Sequence, residues 1–208
     1  MEISCIPCNS EIFPDYLALY HHKEEYHKTT LTGVCFFTYD NKFDNQKGLY
    51  NSIYYNDKKR LKYFKEHFEG VKFFIEPDYS LTGDMDFAER VSRRKKMRLV
   101  SVWLATELKA VVIPLITYGD ERSFEYMLDG IEESKVVAFS TKGSVKNSIQ
   151  KELLLKAIKY TVDKLPLKYI VVYSVCNDEI IHKLFSYAIA KGIQIIIPRN
   201  RIKEFHER

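Results

Sequence analysis

The sequence predicts an α/β protein built of βα units around a mostly parallel sheet. Apolar, β-branched runs recur at residues 34–39, 71–76, 110–117, 135–141, 169–175 and 193–198. Most are nearly continuous in apolar residues, as strands covered on both faces are. Segments of helical period fall between them, and such alternation implies parallel strands joined by right-handed crossovers. Two architectures satisfy this pattern: a partial or distorted βα barrel and an open doubly wound sheet. No Gly-x-Gly-x-x-Gly or Walker loop is present, which weakens the nucleotide-binding open sheet and favours the barrel-like form.

Each helical segment carries its own signal. Residues 58–68 are amphipathic. Residues 84–108 form a long helix that Asp84 can cap, and 123–128 a short one. Residues 148–165 place Leu153, Leu154, Ala157, Ile158 and Val162 on one stripe. Residues 177–191 open on the capping Asn177 and stop at Gly192. The Tyr-rich stretch from Tyr50 to Tyr63 reads as a half-buried helix with polar tips, or as a platform on which bases stack. Arg93, Arg94, Lys95, Lys96 and Arg98 lie inside the long helix. They read as a solvated helix face in preference to a nucleic-acid patch.

Bulk properties bound the answer further. A chain of 208 residues, 46% hydrophobic and 29% charged, suits one main domain with room for a small accessory element. No stretch approaches the ~18–20 apolar residues of a membrane span. The N-terminus lacks a basic start followed by an apolar run, so no signal peptide and a cytoplasmic location are expected. A net charge of +4, from 32 basic and 28 acidic residues, is weak. Cys35 and Cys176 sit in apolar runs and read as small core residues.

The first thirty residues differ from the rest. Cys5 and Cys8 form a C-x2-C pair, followed by Phe13, Leu19, His22 and His27. This order resembles the classical Cys2His2 zinc finger, with Phe13 and Leu19 at its two core positions. Four residues separate Cys8 from Phe13, where that family usually has three. Two thiolates on a knuckle and two imidazoles a helical turn apart can close a tetrahedron around one structural zinc, with no open position for catalysis. Pro14 and Asp15 suit a helix start. The finger's usual base-reading positions fall on Asp15, Ala18 and His21, none of them the arginine that most often reads guanine. Tyr16, Leu17 and Tyr20 would give its helix an apolar outer side. The expected organisation is thus a zinc-finger-like clip over residues 1–30, docked on the main domain or on a partner protein, and a βα-repeat domain over 31–208.

In parallel α/β folds the site is built at the carboxyl ends of the strands. Those positions hold Asp40 after the first strand and Asp78, Ser80 and Asp84 after the second. Tyr118 follows the third, Ser140, Thr141, Lys142 and Ser144 the fourth, and Tyr173 ends the fifth. Asp40 and Asp78 could share a divalent metal, magnesium or manganese, or act as acid and base. The 140–144 loop could cradle a phosphate at the start of the next helix. Aspartate and serine after a strand are also good turn and cap residues, so each carries that plainer reading as well. No Ser/His/Asp or Cys/His set is evident.

From Val34 to about Ser174 the chain resembles the family known as domain of unknown function 4417, found largely in phages, plasmids and bacterial mobile elements. The resemblance rests on Phe36, Phe37, Thr38, Tyr39 and Asp40 with Phe43, then on Pro77, Asp78, Tyr79, Ser80 and Leu81 with Asp84 and Met85. Trp103, the Val112-Ile113-Pro114 step, Ser123-Phe124, Gly130 and Val137 through Gly143 follow in the family's order. Tyr118 stands where the family tends to have tryptophan, and Leu108, Lys109 and Ala110 replace a glycine-bearing step. The family brings no established activity; it implies a mobile-element or host-defence setting. Three functions are open on this reading. The first is an accessory protein of a mobile element that holds nucleic acid or a nucleotide at the strand-end face. The second is a divalent-metal-dependent phosphoester hydrolase using Asp40 and Asp78. The third is a module that binds or inhibits a host protein.

Overall fold

A computed structural model of the protein describes residues 3–206. Strands β1 (Tyr16–Leu19), β2 (Thr32–Cys35), β3 (Phe73–Ile75) and β4 (Val111–Ile113) form one sheet in chain order; β5 (Val136–Ser140), β6 (Tyr169–Tyr173) and β7 (Gln194–Ile196) form a second. Every paired neighbour is parallel. Isolated parallel bridges join the sheets on both sides, Leu115 with Ala138 and Tyr16 with Arg199. Main-chain bonds flank each bridge, such as Ala138 N to Pro114 O at 2.7 Å and Leu17 N to Arg199 O at 2.8 Å. The strands thus follow one another in sequence as two arcs of a split βα barrel, and no continuous ladder closes it. Of the two architectures that the alternation allows, this is the distorted barrel-like one. No helix among the described residues is long and apolar enough to cross a membrane.

Continuous apolar runs become strands with two buried faces. Val136, Ala138, Val171 and Tyr173 point into the core they share with β1–β4. Val137, Phe139, Ile170 and Val172 point outward under α5 (Ser148–Lys164), α6 (Asp178–Leu184) and α7 (Ser186–Ala190). The expected single helix over 177–191 is two, because Phe185, fully buried, ends α6 and begins α7. The short helix expected over 123–128 is a 3-10 turn at Glu121–Glu125, closed by a capping box between Asp120 and Ser123. The long helix, α4, runs Phe87–Glu107 and begins after Asp86, so Asp84 is not its cap. Between β2 and β3 lie α1 (Asp40–Phe43), α2 (Leu49–Tyr54) and α3 (Lys58–His67), and α8 (Arg201–His206) follows β7.

The zinc-finger reading is corrected here. Its helix would start at Pro14 and Asp15, but Tyr16–Leu19 is β1, a wholly buried strand paired with β2. The sheet therefore runs across the boundary expected near residue 30. Cys8 is buried at the amino end of β5, where its carbonyl accepts from Lys135 N at 3.0 Å and Val136 N at 3.1 Å. His22 lies past the carboxyl end of β1, the opposite end of a parallel sheet, beside Glu24 and Arg201. His27 faces Gly70, ahead of β3, and Cys5 is exposed. Burial pushes the Cys8 thiol up, away from the thiolate that zinc needs. Among the described residues no three His, Cys, Asp or Glu side chains are placed to hold a metal. Tyr16 and Leu17, expected on an outward face, are core residues.

The N-terminal segment instead plugs the amino-end face. Ile6 N donates to Gly130 O at 2.8 Å, and Cys8 N to Ser134 Oγ at 3.1 Å. Gly130 has φ +80°, and a Cβ there would meet Ser4 O at 2.5 Å, so glycine is required twice over.

The basic run of α4 is solvated only in part: Lys95 is exposed, whereas Arg94 and Arg98 are buried. Arg90, Arg94 and Arg98, four apart, are buried with Met97, Ser101 and Leu104 on the helix's inner face. Arg98 pairs with Glu76, both side chains fully buried. Glu76 also accepts from Ser101 Oγ at 3.1 Å and from Leu115 N at 3.0 Å. One carboxylate thereby ties the end of β3 to α4 and to the residue that bridges the sheets. Glu76→Gln leaves a buried guanidinium without its counter-charge and should cost about 3–5 kcal/mol. Chemical denaturation checks this; a loss under about 1 kcal/mol would show that the pair does not hold the seam.

Candidate functional site at the β4–β5 seam

Where the two sheets part after Leu115, the carboxyl ends of β3, β4 and β5 enclose a pocket of about 210 Å³. Its polar lining is Asp78, Ser80, Thr117, Tyr118, Ser140, Lys142 and Ser144, and its apolar walls are Phe37, Leu81, Leu115 and Ile116. Six of the strand-end residues read from sequence thus come together: Asp78, Ser80, Tyr118, Ser140, Lys142 and Ser144. Crevices outside the carboxyl ends of strands, where neighbouring strands diverge, are the usual ligand sites of α/β sheets.

The loop after β3 aims these groups. Glu76 is anchored in the core, and Pro77 holds an extended step beyond it. Tyr79 is buried, its ring 5.2 Å from that of Phe43. Asp78, between two anchored neighbours, points the other way, into the pocket. Its half-buried carboxyl has no hydrogen-bond partner among the described residues. Burial first, and then the nearby Asp40 charge, push its pKa up to about 6, against the opposing pull of Lys142 and Arg94.

Asp40 plays a different part from the one expected. Its Oδ2 pairs with Arg93, and its Oδ1 accepts from Ser80 N at 3.2 Å and Ser80 Oγ at 3.3 Å. Both oxygens are committed to holding the Ser80 loop, and Asp40 does not line the pocket. Asp84 is exposed, with Thr82 and its own main chain drawing its carboxyl below the usual range. Thr141 and Tyr173 do not line the pocket. Thr141 Oγ1 accepts from Val175 N at 3.0 Å, and the buried Tyr173 ring packs 4.6 Å from Phe37.

The loop after β5 supplies the pocket's cation. Lys142 Nζ reaches across to Phe37 O at 2.6 Å, and its amide donates to Ser140 Oγ at 3.1 Å. Ser144 folds back on the Ser140 carbonyl at 3.3 Å and stands beside the Tyr118 phenol, which burial pushes up. The expected phosphate cradle at a helix start is not formed. α5 begins four residues beyond Ser144, and Asn147 caps it by accepting from Gln150 N at 2.9 Å.

A clamp fixes the far side. Arg90 Nη1 donates to Asp120 Oδ1 at 2.8 Å, while Arg90 Nη2 and Arg122 Nη2 converge on the Gly83 carbonyl. Burial would raise the Asp120 carboxyl, but Arg122 and Arg90 hold it down to about 2. Gly119 presses on this turn so closely that a Cβ would lie 2.8 Å from Thr82 O. Behind the pocket, Arg94 is fully buried and donates to Thr117 O at 2.8 Å. Burial and the Arg98 charge draw its guanidinium down to about 10. Arg90 did not stand out in the sequence and Arg94 read as part of a solvated face, although their four-residue spacing, continued by Met97, Ser101 and Leu104, marks a buried face.

Asp78 makes stability depend on pH. A carboxyl whose folded pKa lies above its unfolded value stabilises the fold fully below that value, near 3.8, and the contribution is lost as pH rises through about 6. Asp78→Asn should therefore raise stability at pH 7.5 by about 1–3 kcal/mol, and the gain should vanish near pH 4. Thermal melts across this range test it; destabilisation by Asp78→Asn at pH 7.5 would mean that the carboxylate is satisfied in the fold.

Residues 1–193 match the family described as Domain of unknown function (DUF4417). No curated protein matches the chain. The match spans nearly the whole sequence, from the N-terminal plug through β6 and the helices that follow it, and the chain belongs to the DUF4417 family.

Proposed function

We propose that the protein binds a nucleotide, free or at an exposed position of a nucleic-acid strand, in the pocket over the β4–β5 seam. The observation that carries this reading is the Asp78 carboxyl, unpartnered between apolar walls and facing Lys142 across the same pocket. A half-buried carboxyl with a raised pKa and no protein partner, facing a crevice at strand ends, is the kind of group that ligand sites hold. A volume of about 210 Å³ suits one planar base better than a whole nucleotide. Phe37 and Tyr118 offer ring surface for it. Asp78, once ionised, accepts from a base edge with adjacent N–H donors, as guanine has. Lys142, exposed at the rim, meets the phosphate. The accessory role in a mobile element, implied by the sequence resemblance, belongs to this proposal.

The hydrolase reading has less support, because Asp40 is committed to Arg93 and Ser80 and is not poised to share a metal with Asp78. The host-protein module, which rests on the finger and on an aromatic surface, keeps only the second, because Tyr16 and Leu17 of the expected finger are β1 core.

Calorimetry with mononucleotides tests the proposal. Guanine nucleotides should bind best, with affinity rising as pH rises through about 6 and Asp78 ionises. Asp78→Ala and Lys142→Ala should each weaken binding about tenfold or more, equivalent to at least ~1.4 kcal/mol. Affinity indifferent to both substitutions would remove the pocket from the function.

A further inference from the structure

We propose a second binding site, independent of the strand-end pocket: a cleft between α2, α3 and the end of α4 that takes single-stranded nucleic acid. The cleft encloses about 530 Å³ against about 210 Å³ for the seam pocket. Lys58, Lys62 and Lys65, at positions i, i+4 and i+7 of α3, form one wall, and Ile53 and Trp103 contribute apolar surface.

Two observations favour a polyanion with flat rings. The first is charge. α3 carries five basic residues and one acidic residue in ten, and its four lysines are exposed. α4 has a similar basic excess, but there Arg90, Arg94 and Arg98 are buried. On α3, Lys62 and Lys65 approach Glu66 and Glu107, whereas Lys58 and Lys59 make no ion pair among the described residues. Asp57, the adjoining acid, caps the helix by accepting from Arg60 N at 3.0 Å.

The second observation is a row of rings on α2 and its C-cap, where Tyr54 and Tyr55 stand in the chain between the cleft-lining Ile53 and Asn56. Tyr54 and Tyr55 are 63% and 75% exposed, with ring centroids 5.1 Å apart. Tyr50 stacks on Tyr54 at 5.9 Å, and Lys96 Nζ lies 4.7 Å over Tyr50. Exposed tyrosines beside a lysine-lined groove are the arrangement on which unpaired bases stack while the backbone runs past cations. An acidic peptide would use the lysines and leave the rings idle.

Fluorescence anisotropy with the full chain and a labelled oligothymidylate tests this. Contact with three phosphates predicts that log K falls against log salt with a slope of about −2. Lys58→Glu with Lys62→Glu should lower affinity at least tenfold and flatten the slope. Tyr54→Ala with Tyr55→Ala should lower affinity about tenfold and leave the slope unchanged. All four positions are exposed, and matching thermal melts should show that the variants stay folded. Asp78→Ala, which should impair mononucleotide binding in the seam pocket, should leave oligothymidylate binding intact. No binding at low salt overturns the proposal. So does duplex bound as tightly as single strand, or an acidic peptide that displaces the oligonucleotide from the wild type and binds Tyr54→Ala/Tyr55→Ala equally well. Loss of oligothymidylate binding in Asp78→Ala also overturns it, because it places the strand in the seam pocket.

Discussion

The buried carboxylate of Glu76 is the interaction on which the rest of the structure turns. It ends β3, neutralises Arg98 of α4, accepts from Ser101 and receives the amide of Leu115 at the seam between the two sheets. A charge taken out of water is tolerable only when it is paired and its lone pairs are filled, and here donors from three directions fill them. The residues beyond Glu76 start from a fixed point. Two positions later Asp78 enters the pocket without a partner of its own. A satisfied acid in the core and an unsatisfied one in the pocket, separated by Pro77, are parts of one arrangement.

The split barrel explains where the pocket lies. Strands paired along their length leave little room between them, whereas β4 and β5 meet at one bridge and then diverge. The loops on either side are held apart by their own bonds. Asp40 and Arg93 secure the Ser80 turn, Arg90 and Asp120 secure the turns after β3 and β4, and Lys142 spans to Phe37. The pocket is thus preorganised by charged groups of which only Lys142 lines it. Much of the arginine on α4 serves this purpose and is absent from the solvent-exposed surface.

Strand positions, the parallel alternation and six pocket residues were legible in the sequence, because apolar runs and the polar residues that end them are local signals. Three features were not. β1 was hidden because Cys5, Cys8, His22 and His27 share the spacing of a metal-binding finger, while a buried four-residue strand leaves only Tyr16, Leu17, Ala18 and Leu19 as its signature. Spacing cannot tell that Cys8 lies at the amino end of β5 and His22 past the carboxyl end of β1. Arg94 and Arg98 looked solvated because charge dominates a basic run; their partners, Thr117 O and Glu76, are fixed by tertiary contacts. Asp40 and Asp78 looked equivalent, both being acids after strands, and only the neighbouring Arg93 and Ser80 separate a positioning residue from a free one.

The Glu76-anchored loop delivers Asp78 to the pocket as an unpartnered acid. Carboxyl-carbon NMR, with the Asp78 resonance assigned by its loss in Asp78→Asn, measures this directly. The account predicts a titration midpoint of about 6 in the ligand-free protein. A midpoint at or below the ordinary value near 3.8 would show a paired carboxylate and contradict it.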